Sequence, residues 1–318
     1  MAKFPATVLI IIIYCSTGFC QAQGTGKAES GQQPAQLKAD PIVRAELTDP
    51  NEESLPKPDL KIKSGKQAID RQFEYIFTTY VNEAGNVDYQ TLRRKRVDLI
   101  PILRKLNNLH PAEIMSWSRK EKMAFWINAH NIFTLKLIID NYPIEPRWYM
   151  INYPDSSLMQ IPGGRTKRYF KVMGMEYTLS EIERGILLKR FGDPRVCLTL
   201  SYASAGGAFL RNEAYRADKL DEQLDEQTRR FLADPRGLKI DHVKKVFFIS
   251  DIFNWYEEYY VEKYGQVKRF RDRNSDIRAY LNFIVDHVSA DTAKQLRTKP
   301  YPVRSLMYNW HLNEQIKK

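Results

Sequence analysis

Residues 117–142 read WSRKEKMAFWINAHNIFTLKLIIDNY and decide how the rest of the chain can be arranged. Ser118 and Glu121 stand three positions apart, the spacing of a capping box, so a helix is expected to begin here. The apolar residues that follow cover most of the circumference of this helix, rather than one stripe. A helix that is hydrophobic on nearly all sides lies in the interior of a protein, so the sequence predicts that this segment is the centre of the fold.

Two asparagines interrupt this apolar helix. Asn128 and Asn131 are three residues apart and therefore lie on one face. If they are buried, their amides need hydrogen-bond partners, which neighbouring loops or a bound ligand could supply. His130 points elsewhere and is expected to be a packing or surface histidine rather than a catalytic base.

The stretch CLTLSYASAGGAFLRNEAY, residues 197–215, is the strongest candidate for a functional segment. Its apolar opening predicts a short buried strand over 195–201. Small residues around Gly206 and Gly207 follow, where the backbone can turn sharply or approach a ligand closely. Arg211, Asn212 and Glu213 then supply three polar side chains. This pattern suits a binding site, and it suits a packing corner equally well.

The remaining pattern predicts an α+β fold that is mostly α-helical, with a small mixed or antiparallel sheet in a single compact domain. Helices are expected over 64–80 with Ser64 as cap, 92–106 with a break or a start at Pro101, 180–190 from Ser180 and Glu183, 218–232 capped by Asp218, and after Ser250. Short strands are expected over 169–172, 175–177, 238–240 and 243–249. In the loop 141–164, Trp148 and Tyr149 are expected to act as anchors.

The N-terminus has the layout of a secretory signal peptide over residues 1–22. Lys3 precedes an apolar run, Val8–Tyr14, and Ala22 is a suitable last residue before cleavage. The run is too short to span a bilayer comfortably, which takes ~20 residues. The chain is therefore expected to be secreted or periplasmic, with an uncleaved membrane anchor as the alternative. Residues 23–63 have the composition of a disordered linker, and 64–318 form the globular domain.

The cysteine content and the charge of the chain limit the disulfides and the kinds of partner that can be expected. Of three cysteines, two would leave with the signal peptide, so the mature chain has Cys197 alone and no internal disulfide. The net charge of +11 comes from scattered basic residues without interleaved aromatics. This distribution does not favour a nucleic-acid partner. Weak attraction to an anionic surface is the partner interaction that it allows, and the mature chain is expected to have no stable membrane span.

Motifs for catalysis, metals and cofactors are missing from the sequence. Phosphate-binding loops, dinucleotide fingerprints and zinc-binding patterns are not found, so no cofactor, metal site or catalytic residue is predicted. Cys197 falls in a segment expected to be buried, where a thiol is usually inert. Ser204 could act as a nucleophile only if a base reached it, and the neighbouring sequence supplies none.

Six blocks resemble the domain of unknown function 547 family, over about residues 67–313. They are AFWINAHNIFTLKLIIDNYP (124–143), YTLSEIERGILLKRFGDPRV (177–196), LRNEAY (210–215), LDEQLDEQTRRFLADPR (220–236), ISDIFNWYEEYY (249–260) and YNWHLN (308–313). The resemblance implies an α-rich mixed fold, often exported in bacteria. It implies no particular activity.

The resemblance also indicates what this chain lacks. Similar proteins typically have cysteine at the position of Tyr202 and a second cysteine, followed by two prolines, at Gly207. They often have histidine at the positions of Cys197 and Arg184. Such a group would suit thiol chemistry, since histidine lowers the pKa of a thiol. The matching positions that remain form the candidate ligand pocket: Asn128, Asn131, Glu183, Ser204, Arg211, Asn212, Glu213 and Trp255.

Two hypotheses follow. The first is an exported, non-catalytic binding or scaffold protein whose thiol site has degenerated. The alternative is a hydrolase or transferase acting on amide or ester bonds, in a pocket around Glu183, Ser204 and Arg211. A buried Glu183 could serve as general acid or base. Ion pairs with neighbouring arginines explain Glu183 and Glu213 equally well.

Overall fold

The helix predicted at the centre of the fold forms as expected. We describe the chain from a computed structural model, which covers residues 60–316, with side chains from residue 65. Helix α5 spans Arg119–Asn141, and both hydrogen bonds of the capping box between Ser118 and Glu121 are present. Every side chain from Met123 to Leu135 is buried. The predicted signal peptide and nearly all of the predicted linker lie outside the described residues.

Other helices precede and follow α5 along the chain. Before it are α1 (Leu60–Tyr80), α2 (Tyr89–Arg94), α3 (Ile100–Asn107) and α4 (Pro111–Met115), and after it come a π-helix (Glu181–Leu188), α6 (Lys189–Phe191), α7 (Leu220–Ala233), α8 (Ile252–Trp255), α9 (Glu257–Tyr264), α10 (Ser275–Val285) and α11 (Ala290–Thr298). Short 3₁₀ turns occupy Arg96–Leu99, Leu158–Gln160 and Pro194–Leu198. None of the helices within residues 60–316 has the length and apolar character needed to cross a membrane.

Two small sheets complete the fold and confirm the α+β class. Strands β1 (Phe170–Val172) and β2 (Met175–Tyr177) form the predicted antiparallel hairpin, which turns at Met173 and Gly174 with positive φ. The second sheet has the order β3 (Leu238–Asp241), β4 (Val246–Ser250) and β5 (Val303–Leu306). It is mixed, because β4 pairs antiparallel with β3 and parallel with β5.

The prediction of a strand over 195–201 is wrong. Pro194–Leu198 is a 3₁₀ turn that begins where the carboxylate of Asp193 accepts a hydrogen bond from the amide two residues later. The buried carbonyl of Leu198 accepts a hydrogen bond from Nε2 of Gln227 on α7, at 3.1 Å. A short apolar run can be buried in either conformation, and side chains satisfy its backbone here in place of a neighbouring strand.

Several other predicted boundaries also need correction. Helix α1 begins at Leu60, so Ser64 lies inside it rather than at its start. Thr178 and Glu181 form the reciprocal hydrogen bonds at the start of the π-helix, in place of Ser180 and Glu183. Asp218 pairs with a neighbouring arginine and does not cap α7.

The C-terminal segment ties the candidate functional stretch to the N-terminal part of the domain. Leu312 pairs with Ser204 in an antiparallel bridge, and Glu314 pairs with Val87 in a parallel one. Between them, the buried amide of Asn313 accepts a hydrogen bond from the Tyr89 hydroxyl at 2.8 Å. Residues 203–207 are therefore held in place by backbone contacts with residues more than a hundred positions later in the sequence.

Candidate functional site

A buried ionic centre forms around Glu183 on the π-helix. Its side chain is 4% exposed, and it makes an ion pair with the guanidinium of Arg165, which is 9% exposed. The hydroxyl of Tyr256 donates a hydrogen bond to the other carboxylate oxygen at 2.5 Å. Both oxygens of Glu183 are thus occupied by protein groups.

The ring of Tyr202 packs against the guanidinium of this ion pair. The guanidinium of Arg165 lies over its ring, with Cζ 4.0 Å from the ring centre. Its hydroxyl hydrogen-bonds to the hydroxyl of Tyr256. Burial, and next the charge of Glu183, raise the pKa of Tyr202 well above its ordinary value, so the phenol remains protonated. The centre is closed by aromatic side chains that carry no charge at neutral pH.

His130 lies beside the same carboxylate and stays neutral. Its Nε2 atom is 3.9 Å from Oε2 of Glu183, and its side chain is fully buried. Burial is the main reason that the pKa of His130 falls to about 4, and the positive charge of Arg165 lowers it further, against the opposing effect of Glu183. Among the described residues, neither Nε2 of His130 nor Nη1 of Arg165 has a hydrogen-bond partner.

Asn128 and Asn131 each hold a loop in place. Asn131 donates to the carbonyl of Thr199 at 3.1 Å and accepts from the amide of Ser201 at 2.8 Å. Asn128 makes the same pair of bonds to the carbonyl and amide of Tyr215, at 2.8 and 2.9 Å. The expectation that these asparagines bind neighbouring loops is confirmed, and their amides are already occupied.

Ser204 belongs to a tight corner. Its hydroxyl bonds to the hydroxyl of Tyr308 at 2.6 Å. A β-carbon added at Gly207 would lie 2.7 Å from that Tyr308 hydroxyl, closer than real β-carbons approach. The amide of Gly206 donates to the carbonyl of Asn309 at 2.8 Å. The small residues of this stretch therefore allow close packing of two backbone segments, as in the packing-corner alternative.

Arg211 and Glu213 lie in a separate polar group. Arg211 pairs with Glu213 and with Glu226 on α7, the latter at 2.8 Å. Gln223 donates a further bond to Glu213 at 3.1 Å. These ion pairs lower the pKa of Glu213 despite the opposing effect of its burial. Asn212 is half-buried between them.

Trp255 joins an aromatic stack beside the ionic centre. Its ring lies parallel to that of Trp310 at 5.4 Å, and it contacts Tyr308 at 4.7 Å and Tyr202 at 5.5 Å. The candidate residues thus fall into two groups. Glu183, Asn131, Ser204 and Trp255 lie at or beside the ionic centre, whereas Asn128, Arg211, Asn212 and Glu213 surround the loop at Tyr215.

A cavity among the described residues borders the second group of candidate residues. A cavity of about 200 Å³ lies between α1 and residues 215–218, where Lys66, Trp117 and Phe125 form part of its wall. Tyr215 also lines it, so it borders the second group and not the ionic centre. Within residues 60–316, no cluster of three or more histidine, cysteine and acidic side chains is arranged to hold a metal ion.

All of the candidate residues except Trp255 lie in a stretch that a protein-family model matches. Residues 114–232 match a family model described as a protein of unknown function, DUF547. This match confirms the predicted resemblance over α5, the π-helix, the 194–215 segment and most of α7. Neither the curated proteins nor the solved structures include a match to the chain.

Three of the four positions at which the DUF547 resemblance implies cysteine or histidine, Tyr202, Arg184 and Cys197, lie close enough to Glu183 to interact with it. Tyr202 lies against the Glu183 centre, and Nε of Arg184 is 3.9 Å from Oε1 of Glu183. Cys197 is completely buried, and burial, with the charge of Glu183, raises its pKa well above the ordinary value. A thiol in this environment is a weak nucleophile.

Arg165 and Tyr256 of the centre, and Tyr308 beside it, were not among the candidate pocket residues proposed from the sequence. Arg165 sits in a glycine-rich loop, Tyr256 lies in an aromatic cluster of the kind that usually packs in a core, and Tyr308 lies in the C-terminal segment. Tyr256 and Tyr308 lie within two of the blocks that resemble DUF547, and this was the one signal that could have selected them. Arg165 lies outside all six blocks.

Proposed function

We propose that this chain is an exported, non-catalytic binding or scaffold protein in which a thiol site of the DUF547 type has degenerated. The observation that carries the proposal is Tyr202, which occupies the position where cysteine is expected. Its ring packs under Arg165 and its hydroxyl bonds to Tyr256, so a bulky neutral side chain takes the place of a reactive group.

The remaining nucleophiles are not activated. Cys197 is buried with a raised pKa, so little thiolate forms at neutral pH. The Ser204 hydroxyl bonds to the Tyr308 phenol, whose pKa burial raises, and a protonated phenol is no general base.

The alternative, a hydrolase or transferase around Glu183, Ser204 and Arg211, has weaker support. Arg211 is engaged with Glu213 and Glu226 beside the loop at Tyr215, whereas Glu183 lies in the ionic centre. Both oxygens of Glu183 accept hydrogen bonds from Arg165 and Tyr256, so a substrate would have to compete with these partners for the carboxylate. The observation in favour of this alternative is the burial of Glu183 next to a neutral His130, an arrangement also found in acid–base sites.

Chemical labelling of the folded full-length chain tests the proposal. A fluorophosphonate and iodoacetamide are added at pH 7, and modification of Ser204 and Cys197 is read by peptide mass spectrometry, which separates Cys197 from Cys15 and Cys20. We expect neither residue to react until urea is added, when Cys197 becomes labelled. Stoichiometric labelling of Ser204 or Cys197 in the folded protein would contradict the proposal, and a Ser204→Ala variant controls for non-specific phosphonylation.

Export and surface attraction are also part of the proposal. The signal-peptide pattern supports secretion or a periplasmic location, with tethering by an uncleaved anchor as the alternative. The net charge of +11 supports weak attraction to anionic surfaces. The intact mass of the protein recovered from the producing cell distinguishes cleavage after Ala22 from retention of residues 1–22.

A further inference from the structure

The loop after α5 is ordered by one buried side chain. Gln160, 2% exposed, accepts a hydrogen bond from the amide of Arg147 at 2.8 Å. Its Nε2 atom donates to the carbonyls of Met150 and Tyr153, both at 3.1 Å. The side-chain amide of Gln160 thus satisfies backbone groups that have no neighbouring strand to pair with, and it fixes the backbone of residues 147–153.

This rigid loop presents apolar side chains to solvent. Trp148 is 88% exposed, Tyr149 53% and Ile151 83%. The expectation that Trp148 and Tyr149 anchor the loop to the core is therefore wrong: Gln160 anchors the backbone, and the aromatic side chains point away. Single exposed apolar residues are ordinary, but three within four positions on a fixed loop indicate an interaction site.

The segment that carries this loop has a small excess of exposed positive charge. Arg147 precedes the apolar tip, and Lys167 and Arg168 follow Gln160 in the chain after consecutive tight turns. All three are exposed, against two exposed carboxylates on the same segment, Glu145 and Asp155. These groups belong to a chain whose formal net charge is +11, which favours attraction to an anionic partner.

We propose that residues 147–151, the aromatic loop, dock on the surface of an anionic lipid bilayer. Trp and Tyr favour the headgroup region of membranes, because their rings are apolar and carry one polar group. Ile151 would enter the acyl boundary, while basic residues attract the anionic headgroups at a distance. This inference rests on the proposed binding role and assigns it a partner and a surface.

Vesicle binding tests the assignment on the full-length chain. Ile10→Asn and Ile12→Asn are introduced into every protein compared, so that the N-terminal apolar run does not insert by itself. Flotation then measures binding to phosphatidylcholine vesicles with and without about one third phosphatidylglycerol. The loop variant carries Trp148→Ser and Ile151→Ser, and Val243→Ser, an equally exposed apolar residue in the β3–β4 turn, is the matched control.

We expect binding to the anionic vesicles, a loss of roughly tenfold or more in the loop variant, and no change in the control. Tryptophan emission should shift to shorter wavelength only when the loop is intact. Equal binding by the parent protein and the loop variant would refute the assignment. No binding to vesicles at all would also refute it and would favour a protein as the partner of the loop. These results are independent of the labelling of Ser204 and Cys197, so the two proposals fail separately.

Discussion

The buried pair between Arg165 and Glu183 gives a sharp prediction for Glu183→Gln. Glutamine keeps the size of the side chain, and its carbonyl oxygen can still accept the hydrogen bond from Tyr256. The substitution removes the negative charge that faces Arg165 and places an amide NH2, a hydrogen-bond donor, where an acceptor oxygen was. Because Arg165 is 9% exposed, water compensates little for the lost charge, and the buried cation keeps the Tyr202 ring but has no anionic partner.

The size of the effect follows from this geometry. Removal of one member of a buried pair destabilises by about 3–5 kcal/mol. For a domain of this size, 1 kcal/mol corresponds to about 2–4 °C in Tm, so we expect Tm to fall by roughly 6–20 °C. The surface pair of Glu226 with Arg211 offers a matched control, since Glu226 is 62% exposed and Glu226→Gln should cost at most about 1 kcal/mol.

Urea unfolding of a double-mutant cycle measures the effect. Arg165→Met alone should also destabilise, because it leaves the Glu183 carboxylate buried with Tyr256 as its one strong partner. The double variant should be less unstable than the sum of the two single variants, since it leaves no unpaired charge. Additive effects, or a Glu183→Gln cost no larger than that of Glu226→Gln, would refute the description of this pair as the electrostatic centre of the domain.

Two further predictions concern α5. The pKa of His130 is lowered from 6.5 to about 4, so the folded state favours the neutral ring. The free energy of unfolding should therefore have its full value above pH 6.5 and fall by roughly 3 kcal/mol as the pH is lowered toward 4. Unfolding curves of His130→Gln should lack this pH dependence. Asn131→Ala should destabilise by about 2–6 kcal/mol in urea, because Thr199 and Ser201 each keep one unpaired buried backbone group. Asn141→Ala, on the same helix but half-exposed, should cost about 1 kcal/mol or less, and equal losses would contradict the clamp role of Asn131.

The features predicted correctly are those that local sequence determines. The capping box at Ser118 fixes where α5 begins, and its apolar circumference fixes its depth in the core. The Met173-Gly174 turn likewise fixes the register of β1 and β2. The asparagines of α5 were expected to hold loops because a buried amide in such a helix must find backbone partners, and the structure supplies them.

The features predicted wrongly depend on distant residues. The segment 195–201 has the composition of a strand, but Gln227 and Asn131 satisfy its carbonyls from helices that lie elsewhere in the sequence. Trp148 reads as an anchor because a tryptophan is usually buried, yet the hydrogen bonds of Gln160 hold the loop without it. No local pattern near Arg165 shows that this cation meets an acid across the core.

The geometry of the ionic centre also bears on the proposed loss of a thiol site. A reactive cysteine at position 202 would sit against the positive charge of Arg165 and beside the carboxylate of Glu183, so its pKa would depend on a balance of buried charges. Tyrosine at 202 removes that reactivity and adds a ring under the guanidinium and a hydroxyl for Tyr256. In the proposed degenerate site, the charges of Arg165 and Glu183 face each other and two tyrosine side chains rather than a thiol.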